Sequence, residues 1–272
     1  MSPSAHDASD RENQARVAAN RRRVQLLCLG AGALPALVLG VVLGLVTVPV
    51  VGAVVAVVVL AGLALLVHRR AVDMALSFVG GRPVRPEDVP ALANQVDGLC
   101  ATLGVRVPEL RLVDDAVPNA CALAGPGGRE VLVCTTGLLA RLDLIQLEGV
   151  VAHELSHVKR HDAAVSAVAV ATAGVVAALT GSEAVLHRAV GRGREYGADR
   201  AAVLAVRYPP GLHGALQAFG AGPSPGPGSV FAGRRWTATR WVWIDPMVGA
   251  ADPAPVGELD ATAVRMDALA EW

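Results

Sequence analysis

Charge of one sign is missing from this chain. Its 272 residues carry 24 Lys and Arg against 24 Asp and Glu. That excludes the large basic surface on which nucleic-acid binders rely, so no nucleic-acid partner is expected. Aromatic residues are scarce at 3%, so any core must be built from Ala, Val and Leu. Cysteine is scarce as well. Cys28, Cys100, Cys121 and Cys134 show no CxxC spacing, and Cys28 lies inside an apolar run. They are too few to scaffold a chain of this length and read as free thiols. Wholesale disorder is excluded, since 53% of residues are hydrophobic and only 18% charged. No internal repeat is found.

What is abundant is apolar sequence. No charge occurs from Val24 to Val67. As one helix this run would be about 66 Å long, against a bilayer core of about 30 Å. Two crossings fit, with a break near Thr47–Pro49, because Pro49 lacks a backbone donor. The spacing predicts helices over about 24–46 and 49–67. Arg21, Arg22 and Arg23 precede the first and Arg69 and Arg70 follow the second, while the connecting turn has no charge. Positive flanks stay inside, so the chain reads as a multi-pass inner-membrane protein with everything after residue 70 in the cytoplasm. A cleaved signal peptide fits less well, because the run starts late and continues into a second span. Residues 1–23 read as a flexible cytoplasmic tail, 24–67 as a transmembrane hairpin and 71–272 as a globular domain.

Within that domain, Leu92, Val96 and Leu99 recur with helical period over Pro90–Leu103. Glu109–Val113 and Glu130–Thr135 are strand candidates, and Gly125-Pro126-Gly127-Gly128 between Ala124 and the latter signals a hairpin turn. Leu138–Arg160 reads as two helices meeting near Leu142–Leu144. The expected fold is mainly α with a small β-sheet, an α+β domain behind a two-helix membrane hairpin.

The decisive segment is His153-Glu154-Leu155-Ser156-His157. On a helix, positions i and i+4 share a face, so both imidazoles can bind one Zn2+ while Glu154 leans into the same cavity. A catalytic zinc needs a third protein ligand and an open position for water, whose proton Glu154 can accept. Downstream, Glu195 and Asp199 are also i, i+4. Glu195 is the candidate third ligand, and Asp199 could accept a hydrogen bond from a ligand histidine. The plainer alternative is an exposed acidic pair bridged to Arg194 and Arg200.

These residues, with Pro118-Asn119-Ala120, Thr136-Gly137-Leu138-Leu139, Glu195-x-x-Ala198-Asp199 and the closing Val264-Arg265-Met266-Asp267-Ala268-Leu269, resemble the membrane zinc metalloproteases of the HtpX and CAAX prenyl protease type. The resemblance covers roughly residues 70–272 and the amino-terminal hairpin. It implies a zincin-like gluzincin fold and a zinc metalloendopeptidase acting on membrane or misfolded proteins. His153, His157 and Glu195 would be on zinc and Glu154 the catalyst. It also implies that Asn119 lies on the active-site edge strand, where it can contact the substrate backbone or the oxyanion. A strand edge is suited to holding an extended peptide by main-chain hydrogen bonds, and Asn119–Leu123 or Val131–Cys134 could supply it.

Two departures stand out. Many relatives of the resembled type carry a His-Pro pair late in the chain, whose His the resemblance implies in stabilising the transition state; this sequence has Asp245-Pro246 there. An ionised aspartate donates no hydrogen bond, so the role is vacant or falls to His213, Tyr196 or Arg265. Arg265 is accordingly a candidate substrate contact. In addition, Ala163–Thr180 is uncharged for eighteen residues, enough for a span. One crossing there would separate Glu195 from the histidines, so the segment is expected either to be buried in the domain or to dip into the bilayer. HELSHVKRHD also resembles the metalloprotease domain of beta-lactam-sensing receptors, which makes a signal transducer with a separate sensor or regulatory partner one alternative. A catalytically weak zinc-binding membrane protein is the other.

Overall fold

A computed structural model describes residues 5–191, 193–247 and 262–272. The apolar run breaks at its proline: α1 spans Ala5–Val46 and α2 spans Pro49–Val79. The two pair as a hairpin whose backbones meet at glycines. A Cβ added to Gly52 would lie 2.7 Å from backbone atoms of Gly44, so only glycine permits this approach. Close small-residue crossings are how helices associate in lipid. The outward faces carry exposed Leu34, Leu45 and Val50 among many other aliphatic side chains. So continuous an apolar surface is unfavourable in water and at home in hydrocarbon.

Both helices outrun the uncharged segment. Where a flexible tail is expected over 1–23, α1 is already helical from Ala5. Its polar residues dock on the domain: Arg23 Nη1 donates to the Val190 carbonyl at 2.9 Å, and Asn20 is buried. Likewise α2 continues past Arg70 into the domain and buries Ala71, Val72, Ala75 and Val79.

The domain is layered about a four-stranded sheet. Strand β1 is Arg82–Pro83, followed by α3 (Pro90–Leu103). Then come β2 (Glu109–Val113), β3 (Ala120–Ala124) and β4 (Glu130–Thr135), in the spatial order β1-β2-β4-β3. β2 and β4 run parallel, with Leu112 opposite Cys134. β3 and β4 form the antiparallel hairpin, with Ala122 opposite Leu132. Alternation along β4 feeds two cores. Val131 and Val133 face the end of α2, whereas Leu132 and Cys134 face α3 and the central helix α5.

After α4 (Thr136–Arg141), Asp143 caps α5 (Leu144–Lys159). Its carboxylate accepts from the Ile145 and Gln146 amides at 2.9 and 2.8 Å, and Gln146 bonds back to the Asp143 amide. This reciprocal cap satisfies amides that would otherwise be orphaned. From Gly149 to Val158 every residue of α5 is buried.

His161, in left-handed conformation at φ 59°, turns the chain into α6 (Asp162–Ala169). A π turn over Val170–Gly174 leads to α7 (Val175–Thr180). This is a third segment long and apolar enough to cross a membrane, but most of it is buried in the protein. Gly181 reverses it, and α8 (Glu183–Val190) brings the chain back to α9 (Arg194–Val206). The segment is therefore one arm of a helical hairpin whose two ends lie together. α10 (Pro209–Gly220) packs on α5, followed by α11 (Gly233–Thr239) and α12 (Thr262–Ala270). All four cysteines are free and buried.

Candidate metal centre

Helix α5 presents His153 and His157 one turn apart, and α9 brings Glu195 against them from its own first turn, where a helix favours a carboxylate. His153 Nε2 lies 3.0 Å from Glu195 Oε2 and 3.1 Å from His157 Nε2, and His157 Nε2 lies 3.4 Å from the same carboxylate oxygen. One ligand atom from each residue falls within 4.8 Å of the others, and all three residues are buried.

The far side of each imidazole decides what this triangle can hold. His153 Nδ1 faces Asp199 Oδ1 at 2.8 Å, and His157 Nδ1 faces Asp162 Oδ2 at 3.4 Å. Carboxylates at Nδ1 favour a proton there, which leaves both Nε2 lone pairs directed at a third acceptor, the Glu195 carboxylate. Three buried acceptors converging on one point suit a cation, and two nitrogens with one oxygen suit zinc.

Glu154 stands apart from this pairing. It is 1% exposed, yet neither carboxylate oxygen has a hydrogen-bond partner among the described residues. Burial raises its pKa above the ordinary glutamate value. A buried acid without donors marks a place where protons are handled. Glu195 behaves oppositely. Burial opposes its charge, but Arg194 and the imidazoles outweigh this and hold its pKa well below normal. Arg194 Nε donates to Glu195 Oε1 at 2.7 Å.

Asp199 is fastened in turn. Arg265 donates Nε to Oδ2 at 2.7 Å and Nη2 to Oδ1 at 2.8 Å, a bidentate pair with both residues buried. Burial raises the Asp199 pKa, but the guanidinium prevails and the net shift is downward. The acidic pair is thus interior, not the exposed pair of the plainer alternative. Arg265, a candidate substrate contact, instead spends its donors on Asp199 and the Ile244 carbonyl.

Asn119 is wholly buried at the start of β3. Its Nδ2 donates to the Asp245 carbonyl at 2.8 Å, and its Oδ1 accepts from the Ala120 and Asp245 amides at 3.0 and 3.2 Å. It does meet a peptide backbone in extended pairing, but the backbone is the chain's own. The Ile244 amide, bonded to the Ala120 carbonyl at 2.9 Å, extends that pairing. The Asp245 side chain accepts from the Met247 amide and the Thr262 hydroxyl at the start of α12. Tyr196 packs edge-on against Trp272, and His213 lies on α10.

Two supports of the site have little sequence signal. Arg194 reads as a surface arginine. Asp162 follows the motif without a helical spacing that ties it to His157. Only tertiary contact identifies them.

Residues 86–220 match the family described as Peptidase family M48. Among curated proteins, the chain is 32% identical to "Protease HtpX homolog" of Dictyoglomus thermophilum over 183 residues, which is 55% of this chain and 60% of that protein. It is 33% identical to "Protease HtpX homolog" of Tropheryma whipplei over 176 residues (53% and 60%). It is 35% identical to "Protease HtpX homolog 1" of Streptomyces coelicolor over 175 residues (53% and 58%). The match thus spans about three fifths of these relatives' length.

Proposed function

The chain belongs to peptidase family M48 through its residues 86–220, and we propose that it is a membrane-anchored zinc endopeptidase hydrolysing peptide bonds of membrane or misfolded proteins. The observation that carries this reading is the meeting of His153, His157 and Glu195 beside Glu154, an acid with no hydrogen-bond partner among the described residues. Zinc held by the three would supply a Lewis acid for the scissile carbonyl and lower the pKa of water to about 7.

The protein's own chemistry falls to Glu154. Its raised proton affinity and unengaged oxygens suit it to take a proton from the attacking water and return it to the leaving amine. Glu195 stays ionised because Arg194 opposes its protonation, and so remains a ligand. Asp199 and Asp162 orient the two imidazoles. With His153 fully buried, a peptide reaches this centre only as the surrounding elements part.

The cytoplasmic face is the proposed side of action. Arg21–Arg23 and Arg69–Arg70 flank the hairpin, and positive flanks stay inside. The α6–α8 hairpin begins beside His157 and ends beside Glu195, so the ligands share one compartment whatever depth its tip reaches.

Glu154→Gln tests the reading. The variant should keep its zinc, measured as metal content of the purified membrane protein. It should lose at least about a hundredfold in cleavage of an unfolded test protein. Equal turnover by the variant would end the proposal. A second reading, a zinc-binding protein with weak turnover, is favoured by Asp245, which offers no donor to a developing oxyanion. Full zinc occupancy without cleavage by the parent chain would select it.

A further inference from the structure

Asn20 sits on α1, four residues before the uncharged run, and is only 6% exposed. Its Nδ2 donates twice: to the Arg160 carbonyl at 2.8 Å and to Asp162 Oδ1 at 2.7 Å. The other oxygen of Asp162 faces His157 Nδ1 at 3.4 Å. That same oxygen, Oδ2, is also 3.6 Å from Arg160 Nε. On the first oxygen's side, Arg16 Nε stands 3.6 Å away, one turn before Asn20 on α1. Burying a primary amide is unfavourable unless its donors are satisfied, and here both are, by the turn that follows the second histidine.

We propose that Asn20, carried by the membrane-anchor helix, is a positioning residue of the metal centre. It grips Oδ1 of Asp162, and so keeps Oδ2 turned to His157 rather than drawn onto Arg160. The neutral amide holds the carboxylate without cancelling its charge, which remains available to His157. The imidazole is thereby fixed with Nε2 toward His153 and Glu195. The anchor helix and the metal centre become one mechanical unit. This rests on the reading of His153, His157 and Glu195 as a zinc site.

The test uses the full chain in detergent. Zinc affinity is measured by competition with a chromophoric chelator, and ligand geometry by the visible spectrum of the cobalt(II) protein. Asn20→Ala should weaken zinc about tenfold, the lower end of what loss of an outer partner costs, and should alter the cobalt bands. Asn20→Asp, which sets a like charge against Asp162, should weaken zinc further. Arg21→Ala, which removes only an exposed contact to His161, should match the parent. Parental affinity and an unchanged cobalt spectrum in Asn20→Ala would overturn the inference. If Asn20→Ala does not fold, Asn20→Ser decides by the same two readings. A parent chain that binds no zinc would overturn the metal centre itself, whereas equal binding by parent and variant removes only the role of Asn20.

Discussion

His153 and His157 each turn Nδ1 to an aspartate, but the two aspartates are held by unlike parts of the molecule. Asp199 is locked by both arms of the Arg265 guanidinium, at 2.7 and 2.8 Å, and lies 2.8 Å from its histidine. Asp162 is held by a neutral amide from α1, with Arg16 and Arg160 at 3.6 Å, and lies 3.4 Å from its histidine. One support is a sealed ion pair and the other a looser polar clasp. Both aspartates fall within residues 86–220, the part that matches the peptidase family, whereas Arg265 and Asn20 lie outside it. The candidate ligands and their carboxylates thus come from the part that matches the family, and the side chains that steady those carboxylates come from opposite ends of the chain.

The comparison breaks most visibly at Asp199. Asp199→Ala strands the buried Arg265 charge, and loss of one partner of such a pair costs about 3–5 kcal/mol. A large fall in melting temperature with loss of retained zinc is expected. A melting temperature close to the parent's would show that the Arg265 pair is not what holds this side.

Asp162→Asn should behave differently. Arg16 is about one-third exposed, so its charge finds water when the carboxylate goes. Arg160 is more buried but 3.6 Å distant and not bidentate, so the stability loss should be about 1–3 kcal/mol, below that at Asp199. Zinc affinity should nonetheless fall about tenfold. Denaturant unfolding and chelator competition measure the two separately. Equal destabilisation at both aspartates would erase the distinction.

A pH series sharpens it. Burial opposes a charge on His153, but Asp199 and Glu195 outweigh burial and raise its pKa to about 9. A raised histidine pKa stabilises the metal-free fold fully below the ordinary value of about 6.5, and that contribution fades as pH climbs through 9. Zinc must displace the proton, so its affinity should rise over the same interval. Asp199→Asn should shift that rise to lower pH, read by chelator competition at each pH.

The smallest effect is expected at Arg200→Ala. Its 3.5 Å contact with Glu12 joins the domain to α1 at an exposed site, and such pairs contribute little. A change in melting temperature beyond a degree or two would mean that surface charge, and not Asn20, fastens α1.

Much of this was legible in the chain. The proline at position 49 placed the hairpin break, and the Gly-Pro-Gly-Gly turn placed β3 against β4. Helical spacing put His153 and His157 on one face because both lie on one element. Residues 5–23 were not legible: arginine and asparagine on a helix look like a solvated tail until the surface that receives them is known. The inward turn of Arg265 was hidden for the same reason. A buried guanidinium is tolerable only beside its carboxylate, and Asp199 lies 66 positions away.

Local rules, periodicity and the refusal of proline to extend a helix, were enough to set the membrane hairpin, the strand candidates and the pairing of two imidazoles. The sequence also makes Glu195 the candidate third carboxylate and disfavours a single crossing by 163–180. How closely Glu195 meets both imidazoles, and which end of the chain steadies each histidine, depended on desolvation and packing between distant segments. Those terms act only when charges are taken out of water together, and no spacing along the chain encodes which ones will meet.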